Sequence, residues 1–154
     1  MTKKIEIQLV DPGRPEITAM FDELNAYMSA LYPAESNHFA DVEILRQPNV
    51  RFFSAQLGGE YVGCGGIIME GKSYREIKRI FVTNATRGLG VGRKLIDALA
   101  TASRKEGIRL LRLETGISQP EALGFFAACG FSRCDAFGDY PKDDPYCVFM
   151  ERVL

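Results

Sequence analysis

Between residues 87 and 92 the chain reads Arg87-Gly88-Leu89-Gly90-Val91-Gly92, with glycines at alternate positions just before a segment patterned as a helix. Glycines there let the main chain come close to a ligand and turn several N–H groups the same way. The first turn of a helix has N–H groups with no intrahelical partner, and its macrodipole favours negative charge. The chemistry that suits such a turn is the binding of an anion, above all a pyrophosphate. The alternative is a loop whose glycines only turn the chain. Two nucleotide-binding patterns can be weighed by spacing. A phosphate loop of the G-x-x-x-x-G-K-[ST] kind needs a lysine and a hydroxyl that are not in place. A dinucleotide-binding turn finds an acid at Glu114, the end of the next strand, where a ribose-binding carboxylate sits. It also wants its first glycine directly after the strand, and Thr83 to Arg87 intervene. Its third glycine is missing, because Lys94 and Leu95 follow Gly92 and Arg93.

The elements that hold this turn are legible from periodicity. Tyr74 to Val82 precedes it as a strand. Val91 to Glu106 follows as a helix, with Val91, Leu95, Ala98, Leu99 and Ala102 on one face and Gly107 at its stop. Arg109 to Glu114 is a strand again, which gives a strand–helix–strand unit near the centre. Upstream, Ile5 to Val10 alternates as a strand until Asp11, Pro12 and Gly13 break it. From Glu16 the period changes, with Ile17, Met20, Phe21, Leu24, Met28 and Leu31 forming the stripe of an amphipathic helix that Pro33 ends. A shorter helix is expected over Phe39 to Arg46. Residues 51–57 and 60–70 form a hairpin turned at Gly58 and Gly59. Downstream, Ser118 and Glu121 have the form of a capping box with Pro120 in the first turn, which predicts a helix to Cys129 before Gly130. Phe131 to Ala136 and Cys147 to Arg152 are the last strands, joined by a polar loop. The fold class expected is α/β (α+β), with about seven strands in a mostly antiparallel mixed sheet and about four helices.

With 154 residues the chain has room for one domain, 1–154. Hydrophobic residues at 46% and charged residues at 25% are the balance of a folded globular protein and argue against disorder. A formal net charge of −1 gives no broad positive field, so nucleic acid is not an expected partner. Without an apolar run long enough for a signal-peptide core or a membrane span, neither a membrane partner nor export is expected, and a cytoplasmic location is. Cys64, Cys129, Cys134 and Cys147 lack C-x-x-C spacing, and only His38 offers a ring nitrogen beside them, so no metal site is expected.

Order and spacing over roughly residues 50 to 135 resemble the GNAT superfamily of N-acetyltransferases. Arg87, Gly90 and Gly92 match its [QR]-x-x-G-x-[GA] signature, the segment from Glu76 to Leu99 resembles its central motif, and Gln119 to Phe131 resembles its later helix and Gly-Phe pair. The resemblance implies acetyl-CoA as acyl donor, an amine acceptor, and a fold in which the fourth and fifth strands splay apart. It lays the pantetheine arm along Ile80, Phe81 and Val82, and the pyrophosphate on the N–H groups of Gly88, Leu89, Gly90, Val91 and Gly92, with Arg93 and Lys94 adding charge. It also suggests a homodimer.

Acyl transfer to an alkyl amine needs a base, because an amine with a pKa near ~10.4 is neutral in only about one molecule in a thousand at pH 7. By resemblance to histone-type members, Glu76, eleven positions before Arg87, is the candidate base, and burial in a sheet is expected to raise its pKa. Val82 N–H is the candidate donor to the thioester oxygen. The sequence departs from the family at two places. Phe126, which the resemblance places with Arg87 and Gln119 among the cofactor-binding residues, stands where many members carry a tyrosine that protonates the leaving thiolate, and Gln119 stands for an asparagine that bonds pantetheine. Tyr140, in the last loop, is a substitute proton donor. Asp135, Asp139, Asp143 and Asp144, with Tyr32 and Glu35, either attract a cationic acceptor or only solvate their loops. The reading that competes with an enzyme is a non-catalytic acyl-CoA-binding or sensing module, motivated by Phe126.

Overall fold

The computed structural model describes residues 4–36 and 41–154, so His38 and the start of the helix expected at Phe39 lie outside the described residues. The elements run β1 (Ile5–Leu9), α1 (Pro15–Leu31), α2 (Val42–Leu45), β2 (Val50–Leu57), β3 (Glu60–Glu70), β4 (Tyr74–Val82), α3 (Val91–Lys105), β5 (Leu110–Gly116), α4 (Pro120–Ala128), β6 (Ser132–Cys134) and β7 (Cys147–Val153). They form one sheet in the order β1-β2-β3-β4-β5-β7-β6. Every neighbouring pair is antiparallel except β4 and β5, which are parallel. This is the mixed, mostly antiparallel seven-stranded sheet with four helices that the sequence implies. Among the described residues, no helix is long and apolar enough to cross a membrane.

Helices cover both faces, and the alternation of strand side chains decides which core each feeds. Ile67, Ile77, Leu111 and Leu113 pack with Ile96, Leu99 and Phe126 under α3 and α4. On the other face Phe52, Cys64, Ile68 and Phe81 pack with Ile17, Met20 and Phe21 of α1 and with Leu45. Helix α3 buries Val91, Leu95, Ile96, Leu99, Ala100 and Ser103. The stripe is thus rotated from the expected Ala98 and Ala102 toward Ile96 and Ser103, whose hydroxyl donates to Leu99 O at 2.8 Å and so can be buried.

Both long-range helices of the second half end in Schellman caps. Ile108 N–H bonds Ser103 O and Gly107 N–H bonds Arg104 O, with Gly107 at φ +79°. At the end of α4, Phe131 N–H bonds Phe126 O and Gly130 N–H bonds Ala127 O, while the Phe126 and Phe131 rings meet edge to face at 5.8 Å. The Gly-Phe pair is therefore a helix stop with its hydrophobic clasp. The expected capping box at the start of α4 does not form. Gln119 is the N-cap and makes no side-chain cap bond, because its Oε1 accepts instead from Gly116 N–H and Tyr32 O–H, each at 3.1 Å.

One irregularity sets the shape of the centre. In the β3–β4 ladder Cys64 faces Phe81 and Gly66 faces Lys78, so Gly65 alone stands opposite both Arg79 and Ile80. This β-bulge puts Arg79 at φ +59°, a left-handed conformation that costs a non-glycine residue on the order of 1–2 kcal/mol. Gly65 admits it: a Cβ there would lie 2.4 Å from Ile80 Cδ1.

Candidate active site

Strands β4 and β5 pair only at Arg75 with Leu111 and at Glu76 with Arg112. Beyond these two positions they diverge, and the fork between them opens toward the glycine turn. Successive N–H groups of a strand point to opposite edges. Thr83 N–H bonds Val62 O of β3 at 2.9 Å, so the N–H of Val82, one residue earlier, points to the open side of the fork.

A groove of about 840 Å³ runs along this edge. Its walls include Ile80, Phe81 and Val82 of β4, Arg87, Gly88, Gly90, Val91, Gly92 and Arg93 of the turn, and Gln119 and Phe125 beside α4. Ten of the expected ligand-binding residues are thus together along one surface. Among the described residues the N–H groups of Gly88, Gly90, Val91, Gly92 and Arg93 have no main-chain partner, and Gly88 and Gly90 take φ of +84° and +86°, open to glycine without strain. These donors at the head of α3 fit the diphosphate of a coenzyme A. Leu89 differs: its N–H closes a turn onto Thr86 O at 3.3 Å, and its side chain is 56% exposed. Arg93 Nη2 donates to Ala128 O at 3.1 Å, which ties α3 to the end of α4. Arg87 lies 3.5 Å from Glu121 in an exposed pair. A Cβ on Gly92 would stand 2.8 Å from the Phe125 ring, so this glycine also serves the packing of α3 on α4.

Sharing Leu24, Ile80, Gln119 and Phe125 with the groove, a smaller chamber of about 170 Å³ lies deeper in the fork, and its polar walls include Lys78, Arg79, Glu114 and Thr115. Phe126 lines it and is otherwise buried in the α3/α4 core at 7% exposure. From the sequence, Glu114 stands out only as the acid that a ribose-binding turn would need. Burial pushes its carboxyl from an ordinary 4.5 up to about 7, with Glu76 and Asp144 pushing the same way and a bond from Cys147 and the charge of Lys78 opposing. The Cys147 thiol is raised in turn, first by burial and then by Glu114, and stays protonated.

Glu76 and Tyr140 stand behind this chamber rather than among its walls. Glu76 is 6% exposed; it accepts a hydrogen bond from Tyr140 O–H and lies 3.2 Å from Lys78 Nζ, which itself donates to Tyr140. Burial, and then the charge of Glu76, raises the Tyr140 phenol far above its ordinary value. Its ring packs edge to face on Phe137 and Phe149 at 5.4 Å each. Asp144 shapes the same loop, its Oδ1 accepting from Tyr146 N–H at 2.9 Å. Cys64, Cys129, Cys134 and Cys147 are free thiols, and among the described residues no group of three or more His, Cys, Asp or Glu is placed to hold a metal ion.

Comparison with known proteins agrees with this geometry. The profile of the acetyltransferase (GNAT) family matches residues 17–131. A curated protein of Azospirillum brasilense named IAA acetyltransferase is 36% identical over 151 residues, 97% of this chain and 98% of that one. The crystal structure of a Klebsiella pneumoniae protein assigned as an acyl-CoA N-acyltransferase superposes with a TM-score of 0.83 at 31% identity, covering 97% of each chain. The PaiA N-acetyltransferase of Thermoplasma acidophilum, solved with coenzyme A, shares the fold at a TM-score of 0.75 and 17% identity, over 98% of this chain and 99% of that one. With the forked strands, the turn of open amides and likeness along nearly its full length, the chain belongs to the GNAT family of acetyltransferases.

Proposed function

We propose that the chain transfers an acetyl group from acetyl-CoA to a primary amine by direct attack in a ternary complex. The observation that carries this reading is the open fork, whose β4 edge leads at one end to five amides that have no main-chain partner among the described residues and at the other to a chamber holding a carboxyl that titrates near neutrality. Gly88 and Gly90 through Arg93 hold the diphosphate, the main chain of Ile80 to Val82 lines up the pantetheine arm as an added strand would, and the Gln119 amide anchors it from α4. Acetyl-CoA supplies the activated acyl group.

Glu114 serves as the general base. Near pH 7 about half of its carboxyls are ionised, so it can take a proton from the acceptor ammonium and still compete for it. The freed amine nitrogen then forms the C–N bond as the C–S bond breaks, coenzyme A leaving as its thiolate and the second proton of the nitrogen passing to solvent. Negative charge that gathers on the thioester oxygen meets the Val82 N–H, an interaction worth on the order of 3 kcal/mol. Phe126 offers no proton to the sulfur, and a thiol with a pKa near ~8.5 leaves without a dedicated donor. Glu76, bonded by Tyr140 and paired with Lys78, positions Lys78 rather than accepting the substrate proton. Tyr140 positions them both, since a raised phenol pKa makes it a weaker acid.

The cellular setting proposed is the cytoplasm, with a homodimer as the assembly. The IAA acetyltransferase relative supports acetyl transfer as the activity. Initial rates of CoA thiol release, varied in both substrates, test the mechanism. Lines that intersect, with an N-acetylated product by mass spectrometry, are expected. Parallel lines would demand an acyl-enzyme and overturn direct attack, whereas saturable acetyl-CoA binding with no turnover on any amine would favour the binding-module reading that Phe126 motivates.

A further inference from the structure

In an unbroken strand Lys78 and Arg79 would point to opposite faces of the sheet. The bulge opposite Gly65 changes that. Lys78 lies on the α1 face, 3.2 Å from Glu76 and 4.8 Å from the centre of the Tyr140 ring. Arg79, turned by its positive φ, lies there too, its guanidinium 4.9 Å from the centre of the Phe21 ring and donating to Asn25 Oδ1 of α1. Ile80 takes the place on the α3 face that Arg79 would have filled. Two cationic residues, adjacent in sequence, thereby border the same small chamber as Glu114.

We infer that the acceptor is an amine that also bears a carboxylate, of the amino-acid kind, its ammonium held at Glu114 and its carboxylate at Lys78 and Arg79. The inference rests on the acyl-transfer reading and narrows its substrate class. A wall with two cations and one carboxyl is a poor match for a bare polyamine and complements a molecule with one charge of each sign. Glu76 offsets Lys78 from behind the wall without lining it. Burial lowers the Arg79 guanidinium from its ordinary range, against the pull of Cys64 and Asp41. A chamber of about 170 Å³ suits a molecule of amino-acid size. The acidic loop between β6 and β7 does not contribute to its walls, and Asp144 there is occupied in shaping its own turn.

The full chain with acetyl-CoA is offered the twenty amino acids, the matching amines that lack the carboxylate, and polyamines, with CoA thiol release as readout. At least one amino acid is expected to exceed its decarboxylated partner by ten-fold or more in kcat/KM, the difference residing in KM. Arg79→Gly accepts the same backbone conformation without strain, which offsets the lost contacts to Phe21 and Asn25, so the fold should hold while KM for the amino acid rises ten-fold or more and calorimetric affinity for acetyl-CoA is unchanged. Arg79→Lys should recover part of the lost affinity. Equal use of an amino acid and its amine, a preference for polyamines, or an unchanged KM in Arg79→Gly overturns this inference and leaves acyl transfer standing. Silence toward every amine, with acetyl-CoA still bound, overturns both.

Discussion

Glu76 and Glu114 lie on the two arms of the fork, yet their surroundings give them different chemistry. Glu76 is held by the Tyr140 phenol and the Lys78 ammonium, two donors that occupy its carboxylate oxygen. Glu114 is half-buried, with a thiol as donor and other carboxylates nearby, and desolvation raises its carboxyl so that its proton comes off near pH 7. Glu114→Gln should lower kcat/KM by about 10²- to 10⁴-fold, the range expected for loss of a general base, and erase the acidic limb of the pH profile near 7. In Glu76→Gln the level should fall and the limb remain, because the limb belongs to the other carboxyl. A profile in which Glu76→Gln loses the limb and Glu114→Gln keeps it would return the base to Glu76. Tyr140→Phe removes a donor from Glu76 and an acceptor from Lys78, so a loss of about 1–2 kcal/mol in chemical denaturation is expected with the limb unmoved; a displaced limb would instead mark Tyr140 as a group that exchanges the proton.

At the scale of elements, the turn ahead of α3 can be tested apart from the chemistry. Gly90 is the N-cap of α3 and takes φ +86°; alanine there costs on the order of 1–2 kcal/mol in the left-handed region and moves the amides that follow. Gly90→Ala should raise the Kd for acetyl-CoA by ten-fold or more in calorimetry while the far-ultraviolet spectrum stays the same; unchanged affinity would detach the turn from the diphosphate. Such local features were legible in the sequence, because Gly107 as a helix stop, the Gly58-Gly59 hairpin and the glycine turn each depend on residues within one or two turns. What escaped it depends on distant chain. Ser118 looks like a cap, but Gly116 and a tyrosine 87 residues away draw Gln119 into other bonds. The left-handed Arg79 sits at a bulge opposite Gly65 of the neighbouring strand and is supported by α1, and neither leaves a mark in the Lys78-Arg79 dipeptide. Glu114 reads as an ordinary strand-end acid until β7 and its loop close over it.

For the molecule as a whole, burying a carboxyl beside a catalytic fork has a consequence for stability. A carboxyl whose folded pKa lies above its unfolded value binds its proton more tightly in the native state. Its contribution to stability is fully present below the unfolded value, near 4.5, and is lost as pH rises through the folded one, about 7. That interval corresponds to roughly 3 kcal/mol at most. Asp11 and Glu16 act in the opposite sense: bonds from Arg46 and Arg14 hold their carboxyls below the ordinary range, and what they add is lost only on acidification. Both lie at the surface, where such pairs contribute little, and both are common to the protein and its Glu114→Gln variant. The difference between the two melting curves therefore isolates Glu114. Near pH 4.5 the two Tm values should agree, since a protonated glutamate and a glutamine are close in shape and charge. By pH 8 the variant should melt several degrees higher, because about 1 kcal/mol moves Tm by some 2–4 °C in a chain of this size, and the more stable protein is expected to be the inactive one. Tm values that stay together from pH 4.5 to 8 would mean that Glu114 ionises as it does in water, and the chamber would then hold no group poised to deprotonate an amine at neutral pH.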